Sequence, residues 1–212
     1  MGRFLEQRML YGLGALLGVI IIFVAFVYCD QRNPEERNQK TIENQTGIVE
    51  AAVSELNAKG FDIMYFGEEL NAPSSLIARK VYDFEKNTVF GPYARLDNRG
   101  HMIIINDPSG SVALKNQQLH DLVERVKQDN VILVYLGNNL TSMLDKEGIG
   151  PGMASCNSFM VAKKYNAVYS GVADDTSYLP HQLSQTLTPE QIPVYTLIMN
   201  LIKSQTYSRI LE

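Results

Sequence analysis

The sequence predicts an α/β domain built on a mostly parallel β-sheet with flanking helices, preceded by one N-terminal transmembrane helix. Short apolar runs, each the length of a buried strand, alternate with segments whose apolar residues recur at helical spacing. Strands that are apolar throughout are typical of parallel sheets covered on both faces. A composition of 45% hydrophobic and 20% charged residues over 212 positions is ordinary for one such domain with a small appendage.

The appendage is a run of 21 uncharged residues from Met9 to Cys29. As a helix this run extends for about 30 Å, which is enough to cross a bilayer. Its length, and the lack of a small-x-small cleavage site after it, favour an uncleaved anchor over a signal peptide. The chain is therefore expected to be a single-pass membrane protein in contact with bilayer lipid. Basic residues lie on both sides of the run, so the side of the membrane that holds the domain stays open.

The predicted domain organisation follows from this anchor. Residues 1–8 form a short flank, residues 9–29 the transmembrane helix, residues 30–60 a juxtamembrane linker and helix, and residues 61–212 the α/β domain. Gly14 and Gly18 form a GxxxG pair, a motif that can bring two membrane helices together.

Three apolar runs are predicted as strands: residues 61–66, 101–106 and 131–136. A helix with one apolar face is predicted before Gly60, and a second is predicted to begin at Pro73. Two further helices follow the second and third strands at helical spacing, the last over residues 188–201. The apolar residues whose helical spacing supports these four predictions are, in chain order, Val49, Ala52, Val53 and Leu56; Leu76, Ile77 and Val81; Leu119, Leu122, Val123 and Val126; and Ile192, Tyr195 and Ile198.

Composition also excludes several classes of function. A net charge of −4 gives no reason to expect a nucleic-acid partner. Cys29 and Cys156 are the two cysteines, too few for a disulfide framework and without metal-ligand spacing. The histidines are spread far apart along the chain, so the sequence predicts neither a zinc site nor a cofactor.

The turn Asp107-Pro108-Ser109-Gly110-Ser111 follows a predicted strand, where α/β proteins place ligand loops. One interpretation is a plain turn with a serine N-cap. A second is an Mg²⁺ site, since Asp107, Ser109 and Ser111 have the spacing of von Willebrand A-type adhesion domains. A third is half of an oxyanion hole that uses the N–H of Gly110.

Residues 152–162 begin with small residues and pass into an apolar segment, with Ser155 at the junction. A serine in the first turn of a helix lies beside unpaired N–H groups and the positive end of the helix dipole. Such a position suits an acyl-transfer nucleophile, and it equally suits an N-cap.

Four segments, in order, resemble the proteolytic subunit of Clp protease, of the crotonase-like superfamily. Residues 105–112 are similar to its Ile-Asn-Ser-Pro-Gly-Gly-Ser-Val segment, and residues 154–162 to its nucleophile segment. Residues 61–86, with a predicted strand, Gly67 and a following helix, resemble its first strand and helix, and Leu179-Pro180-His181-Gln182 resembles the segment that carries its catalytic histidine. Membrane-anchored relatives include signal peptide peptidase A and the serine dehydrogenase proteinases, which agrees with the anchor predicted here.

The resemblance implies a serine peptidase that acts on a peptide or membrane-protein substrate without a cofactor and assembles as a homo-oligomer. Ser155 would be the nucleophile and His181, 26 residues later, the general base. The N–H groups of Gly110 and Cys156 would form the oxyanion hole. For the family's acid after the histidine this chain offers Glu190 and Glu212 but no aspartate, and the upstream Asp174 or Asp175 is a possible orienting acid instead. Two hypotheses therefore stay open: an active membrane-anchored peptidase, and a catalytically silent Clp-like scaffold or binding module.

Overall fold

A computed structural model describes part of the chain. The described residues are 21, 34–60, 62–82, 101–128, 131–137, 139–152, 158–162, 167–170, 177 and 179–203. All of the predicted transmembrane run except residue 21 lies outside them. Among the helices so described, none has the combined length and apolar character that a membrane crossing needs. The chain divides into two compact units, residues 1–44 and residues 45–212.

Six strands form one sheet in the order β2-β1-β3-β4-β5-β6. They are β1 (Asp62–Gly67), β2 (Ala78–Lys80), β3 (His101–Asp107), β4 (Val131–Gly137), β5 (Ser158–Ala162) and β6 (Ala167–Ser170). The pairs among β1 to β4 are parallel, whereas β5 is antiparallel to both of its neighbours. The prediction of an α/β domain with a mostly parallel sheet is confirmed, as are its three strands.

Within the described residues from 34 onward, five helices accompany the sheet: α1 (Pro34–Ala58), α2 (Asn116–Gln128), α3 (Thr141–Lys146), α4 (His181–Ser184) and α5 (Ile192–Lys203). Helix α1 begins with Glu35 and Glu36, whose charges favour the N-terminal end of a helix dipole. Its apolar face is buried as the spacing predicts, through Val49, Ala52, Val53 and Leu56. These buried residues belong to the second compact unit, which begins at Gln45 and so includes the later turns of α1.

The core on one face of the sheet is a single apolar cluster. Alternate residues of the central strands point into it, because successive side chains of a strand face opposite ways. From the sheet it takes Met64, Ile103, Ile105, Leu133, Tyr135, Phe159 and Val161, and from the helices Leu122, Val123, Val126 and Leu144. The residues of the opposite face, such as Ile104, Val134 and Met160, are buried as well. Both faces are therefore covered, which explains the continuous apolar runs in the central strands, such as residues 102–105 and 131–136.

The helix predicted to begin at Pro73 is wrong within the described residues. Residues 68–77 contain no helix, and Ala78–Lys80 form strand β2 on the edge of the sheet. The side chain of Asn57 binds this segment, since its Nδ2 donates to the Ser75 carbonyl at 2.8 Å and its Oδ1 accepts from the N–H of Ile77 at 3.2 Å; residues 73–76 form a single turn, in which the N–H of Leu76 donates to the Pro73 carbonyl at 3.0 Å. Contacts from α1 therefore override a local helical pattern.

The apolar segment after Ser155 also differs from the prediction. Residues 158–162 form strand β5, paired with β4, and not a helix headed by a serine. Phe159, Met160 and Val161 are all completely buried. A short run of this kind is compatible with a buried strand or a buried helix, and the free edge of β4 selects the strand. The helix-dipole argument for Ser155 is therefore lost.

Candidate functional site

A crevice of about 370 Å³ opens at the carboxyl ends of β1, β3 and β4. Its floor is formed by residues that pair across three neighbouring strands, since Asn106 of β3 pairs with Leu136 of β4, and Leu136 pairs with Ser158 of β5. Pro189, Glu190 and Pro193, around the start of α5, form another part of the wall. The volume lies within the range of about 300–1,000 Å³ typical of small-molecule sites.

The crevice lies at the point where the order of the strands reverses. From β1 the chain goes to β2 on one side, and the next strand, β3, pairs on the other side of β1. In open α/β sheets this switch point leaves room outside the carboxyl ends of the strands, and ligands bind there. Glu68 and Glu69 follow β1, and Asn106 and Pro108 lie at the end of β3, so all four belong to this opening.

Gly67 turns the chain from β1 over the end of β3. Its φ is +98°, and a Cβ on it would lie 2.3 Å from the carbonyl oxygen of Asn106. Only glycine fits a backbone that combines a positive φ with so close an approach. The turn brings the N–H of Glu68 to 2.9 Å from the same carbonyl oxygen. This contact places the two glutamates above the end of β3.

Asn106 ties the glutamate segment to the floor of the crevice. Its Nδ2 donates to the carbonyl of Glu69 at 2.9 Å and, over a longer 3.4 Å, to the carbonyl of Glu68. Because both partners are carbonyl oxygens, which can only accept, the atom that faces them is the amide nitrogen. The other end of the amide is therefore the oxygen Oδ1. Asn106 is only 7% exposed, and within the described part of the chain its Oδ1 has no hydrogen-bond donor.

The carboxylate of Glu68 closes the turn after β3. Its Oε1 accepts from the N–H of Ser109 at 3.1 Å and also from the Ser109 hydroxyl. The donors that this turn would otherwise present at the crevice are therefore already engaged by a carboxylate of the protein itself.

Glu69 belongs to a second polar group at the edge of the crevice. Its carboxylate accepts from the Tyr65 hydroxyl at 2.7 Å and pairs with the Lys80 ammonium at 2.8 Å. The hydrogen bond from Lys80 lowers the pKa of Glu69, and the reciprocal bond raises the pKa of Lys80. Burial, followed by the bond to Glu69, raises the pKa of Tyr65 to about 12.

A buried polar network supports the crevice from the other face of β3. Asp107 is fully buried, and its carboxylate accepts from the N–H of Val112 at 2.8 Å and from the Tyr135 hydroxyl at 3.0 Å. The same hydroxyl oxygen accepts from the N–H groups of Asn139 at 2.7 Å and Leu140 at 2.9 Å. Burial is the main cause that raises the pKa of Tyr135 to about 12. The network holds the turns after β3 and β4 in place.

The described residues do not assemble the catalytic set that the resemblance implies. Ser155, Cys156, Asp174 and Asp175 lie outside them. The predicted role of Gly110 needs correction, because its N–H donates to the Asp107 carbonyl at 3.1 Å and closes the turn. It is not free to receive an oxyanion.

His181 is the first residue of α4 and is exposed. Helix α4 is attached to α1, since the N–H of Leu183 donates to the side chain of Gln45 at 2.7 Å. The His181 ring lies 3.4 Å from Nε2 of Gln185, and His181 is not among the residues that form the crevice wall. The structure therefore shows a surface histidine at this position.

The interpretation of residues 107–111 as an Mg²⁺ adhesion site is also corrected. The Asp107 carboxylate is buried and saturated by Val112 and Tyr135, and the Ser109 hydroxyl points to Glu68. In the described part of the chain no three His, Cys, Asp or Glu side chains form a group able to hold a metal ion.

Of the residues that form the wall, the sequence pointed to Pro108, in the turn after the second predicted strand, but not to Glu68, Glu69 or Asn106 as site residues. Glu68 and Glu69 directly follow the first strand, and Asn106 ends the second. The rule that ligands bind beyond the carboxyl ends of parallel strands would have pointed to them. Applying it requires the strand order, which places β1 beside β3 and is not visible in the sequence.

Comparison with protein-family models, curated proteins and solved structures finds no match to this chain. The chemistry of the crevice therefore has to follow from its own residues. Its described wall contains Glu68, Glu69 and Glu190, the amide of Asn106 and apolar surface from Leu136 and three prolines, and it includes no Lys, Arg or His.

Proposed function

We propose that this protein is a membrane-anchored binding module whose ligand occupies the crevice at the β1/β3 switch point. The observation that carries the proposal is a cavity of about 370 Å³ at the position where α/β sheets bind ligands. Its buried support, the Asp107–Tyr135 network, is fully hydrogen-bonded, so the wall is held in place before a ligand arrives.

The anchor at residues 9–29 and the Clp-like identity of the fold are parts of this proposal. The anchor rests on the uncharged run between Met9 and Cys29, and the Clp-like fold on the four resembling segments. The mostly parallel sheet agrees with that fold at the level of its class. The module would then display its crevice near a bilayer, and the Gly14/Gly18 pair would bring two copies together.

A variant that fills the crevice tests the proposal. Asn71 is exposed in the crevice wall and makes no hydrogen bond within the described residues, so Asn71→Trp adds bulk at little structural cost. Compounds from a metabolite library that raise the Tm of the full-length wild type should fail to do so for Asn71→Trp. Ser74→Trp is the matched control, since Ser74 is exposed in the same loop but outside the wall. Compounds that stabilise all three proteins equally would place the ligand site elsewhere.

A serine peptidase remains the second candidate, for one specific reason. Ser158 lies in the crevice wall, and Ser155 precedes it by three residues, a length of chain that spans about 10 Å at most. The proposal needs Ser155 and His181 to meet, with Asp174 or Asp175 to orient the imidazole. The occupied N–H of Gly110 and the exposed position of His181 favour the binding module instead.

A fluorophosphonate probe separates the two functions. An active peptidase should be labelled as wild type and not as Ser155→Ala or His181→Ala, because the serine reacts only when a base takes its proton. Ser142→Ala, which changes an exposed serine on α3, should keep the label. Folded wild type that takes up no label would support the binding module.

A further inference from the structure

We propose that the crevice binds an organic cation, namely an ammonium, amidinium or guanidinium group carried on a small apolar body. The inference rests on the proposed function, since it names the class of ligand for the same crevice. Three features of the wall support it. The wall carries carboxylates, the Oδ1 of Asn106 has no donor within the described residues, and the donors of the turn after β3 are already occupied.

The charge of the wall is negative and only partly compensated. Of its three carboxylates, Glu69 is paired with Lys80 at 2.8 Å. Glu68 and Glu190 form no ion pair within the described part of the chain, and the described wall holds no basic residue. The Thr188 hydroxyl lowers the pKa of Glu190 by hydrogen bonding, so this carboxylate stays ionised at neutral pH. A cation in the crevice would meet two carboxylates that lack a counter-charge.

The floor of the crevice adds an independent acceptor. Asn106 is only 7% exposed, and its Nδ2 donates to the carbonyls of Glu68 and Glu69. Its Oδ1 accepts no hydrogen bond from the described residues, so this acceptor is open to a ligand in the crevice. A ligand that carries several N–H groups would supply a donor while it pairs with Glu68. Asn106 on the floor and the carboxylates of the wall therefore both favour a cationic ligand that carries N–H groups.

An anion would find the donors of the turn after β3 already occupied, and it would face the carboxylates of the described wall. The N–H and hydroxyl of Ser109, which a phosphate would use, already donate to Glu68. The N–H of Gly110 donates to the Asp107 carbonyl. A nucleotide bound at the switch point, common in α/β folds, would therefore place its phosphates against carboxylates.

A metal cation fits less well than an organic one. No three carboxylate, histidine or cysteine side chains converge in the part of the chain that the structure describes. The crevice is also far larger than one ion needs, and its wall includes apolar surface from Leu136 and Pro193. Apolar surface of this kind is buried favourably by the body of an organic ligand.

Three probes of one shape and different charge test the inference: benzamidine, which is cationic, benzamide, which is neutral, and benzoate, which is anionic. Binding to the full-length protein in detergent micelles is measured by ligand-observed NMR titration. Benzamidine should bind about tenfold more tightly than benzamide, with benzoate the weakest. Its affinity should fall as salt is raised, because the site is partly open to solvent.

Variants locate the binding. Glu68→Gln keeps an acceptor for Ser109 but removes the charge, and it should weaken benzamidine binding about tenfold. Glu190→Gln, at an exposed position, should weaken it as well and carries the test if Glu68→Gln does not fold. Glu147→Gln removes an equal charge from an exposed residue outside the wall and should leave the affinity unchanged.

Each remaining outcome overturns a different statement. If benzamide or benzoate binds as tightly as benzamidine, and Asn71→Trp abolishes that binding, the cation proposal fails while the binding module stands. If no probe binds, the cation proposal fails, and the comparison of wild type with Asn71→Trp against the metabolite library decides the binding module. If binding survives Asn71→Trp, the crevice is not the ligand site and both proposals fail.

Discussion

Asn106 and Asp107 are neighbours at the end of β3, yet their side chains serve opposite faces of the sheet. Asp107 points into the core, where Val112 and Tyr135 satisfy its carboxylate and no surface is exposed. Asn106 forms the crevice floor, where its Nδ2 is bonded and its Oδ1 is open. Both are buried polar residues, and only one of them has an atom left for a ligand.

This difference shows that burial alone does not identify a functional polar residue. A buried group whose hydrogen bonds are all made within the protein contributes to structure, because it has nothing left to offer a ligand. A buried group with one atom open beside a cavity is a candidate for binding. The Asp107 side should therefore respond to substitution through stability, and the Asn106 side chiefly through binding.

The largest effect is expected from Tyr135→Phe, which removes the hydroxyl at the centre of the Asp107 network. Three partners lose a hydrogen bond: the Asp107 carboxylate and the N–H groups of Asn139 and Leu140. Since Asp107 and Leu140 are buried, the free energy of unfolding should fall by about 3 kcal/mol. Urea denaturation of the full-length protein measures it.

Tyr82→Phe is the control for that substitution, because Tyr82 is 83% exposed and makes no hydrogen bond within the described residues. Its free energy of unfolding should stay within about 0.5 kcal/mol of wild type. If Tyr135→Phe had as little effect on the free energy of unfolding, the Asp107 network would not stabilise the fold as argued above.

The sequence predicted the half of the fold that depends on local pattern. The predicted strands at 101–106 and 131–136 contain the apolar runs 102–105 and 131–136, and the buried face of α1 has helical spacing, so each was found without knowledge of its partners. The candidate site depends on strand order instead. Gly67 and Asn106 come together only because β1 pairs with β3, a contact between residues far apart in the chain.

The errors have the same origin. Residues 73–81 carry a helical pattern, but the side chain of Asn57 binds residues 75 and 77, and residues 78–80 pair with β1 as a strand. The Gly110 N–H was assigned to an oxyanion hole, and the structure shows it closing the turn on the Asp107 carbonyl. In each case the local sequence is compatible with two structures, and a contact that forms only in the folded chain determines which one is adopted.

A smaller loss of stability is expected from Asn106→Ala, together with a change in binding. The variant removes the donor to the Glu69 carbonyl at 2.9 Å and should lower the free energy of unfolding by about 1.5 kcal/mol. It should also weaken benzamidine binding, since the open acceptor is gone. Asn71→Ala, which removes an exposed amide from the same wall, should leave stability unchanged. Loss of stability without any change in benzamidine affinity would make Asn106 as purely structural as Asp107.

The smallest effect is expected from Glu69→Gln, at the exposed edge of the wall. The hydrogen bond from Lys80 lowers the pKa of Glu69 from its ordinary 4.5, so the pair stabilises the fold above that pH, and the contribution is lost as the pH falls through the lowered pKa. The raised pKa of Lys80 preserves the pair up to its ordinary value of 10.5 and beyond, until the pH rises through the raised pKa. Glu69→Gln should therefore lower the urea midpoint slightly at pH 7, and its difference from wild type should shrink as the pH falls through the lowered pKa of Glu69, and also in 1 M salt. Glu147→Gln, an exposed residue without an ion pair in the described part of the chain, should show no such dependence. A Glu69→Gln difference that persisted in acid would mean that the residue acts through packing or its bond to Tyr65, and not through charge.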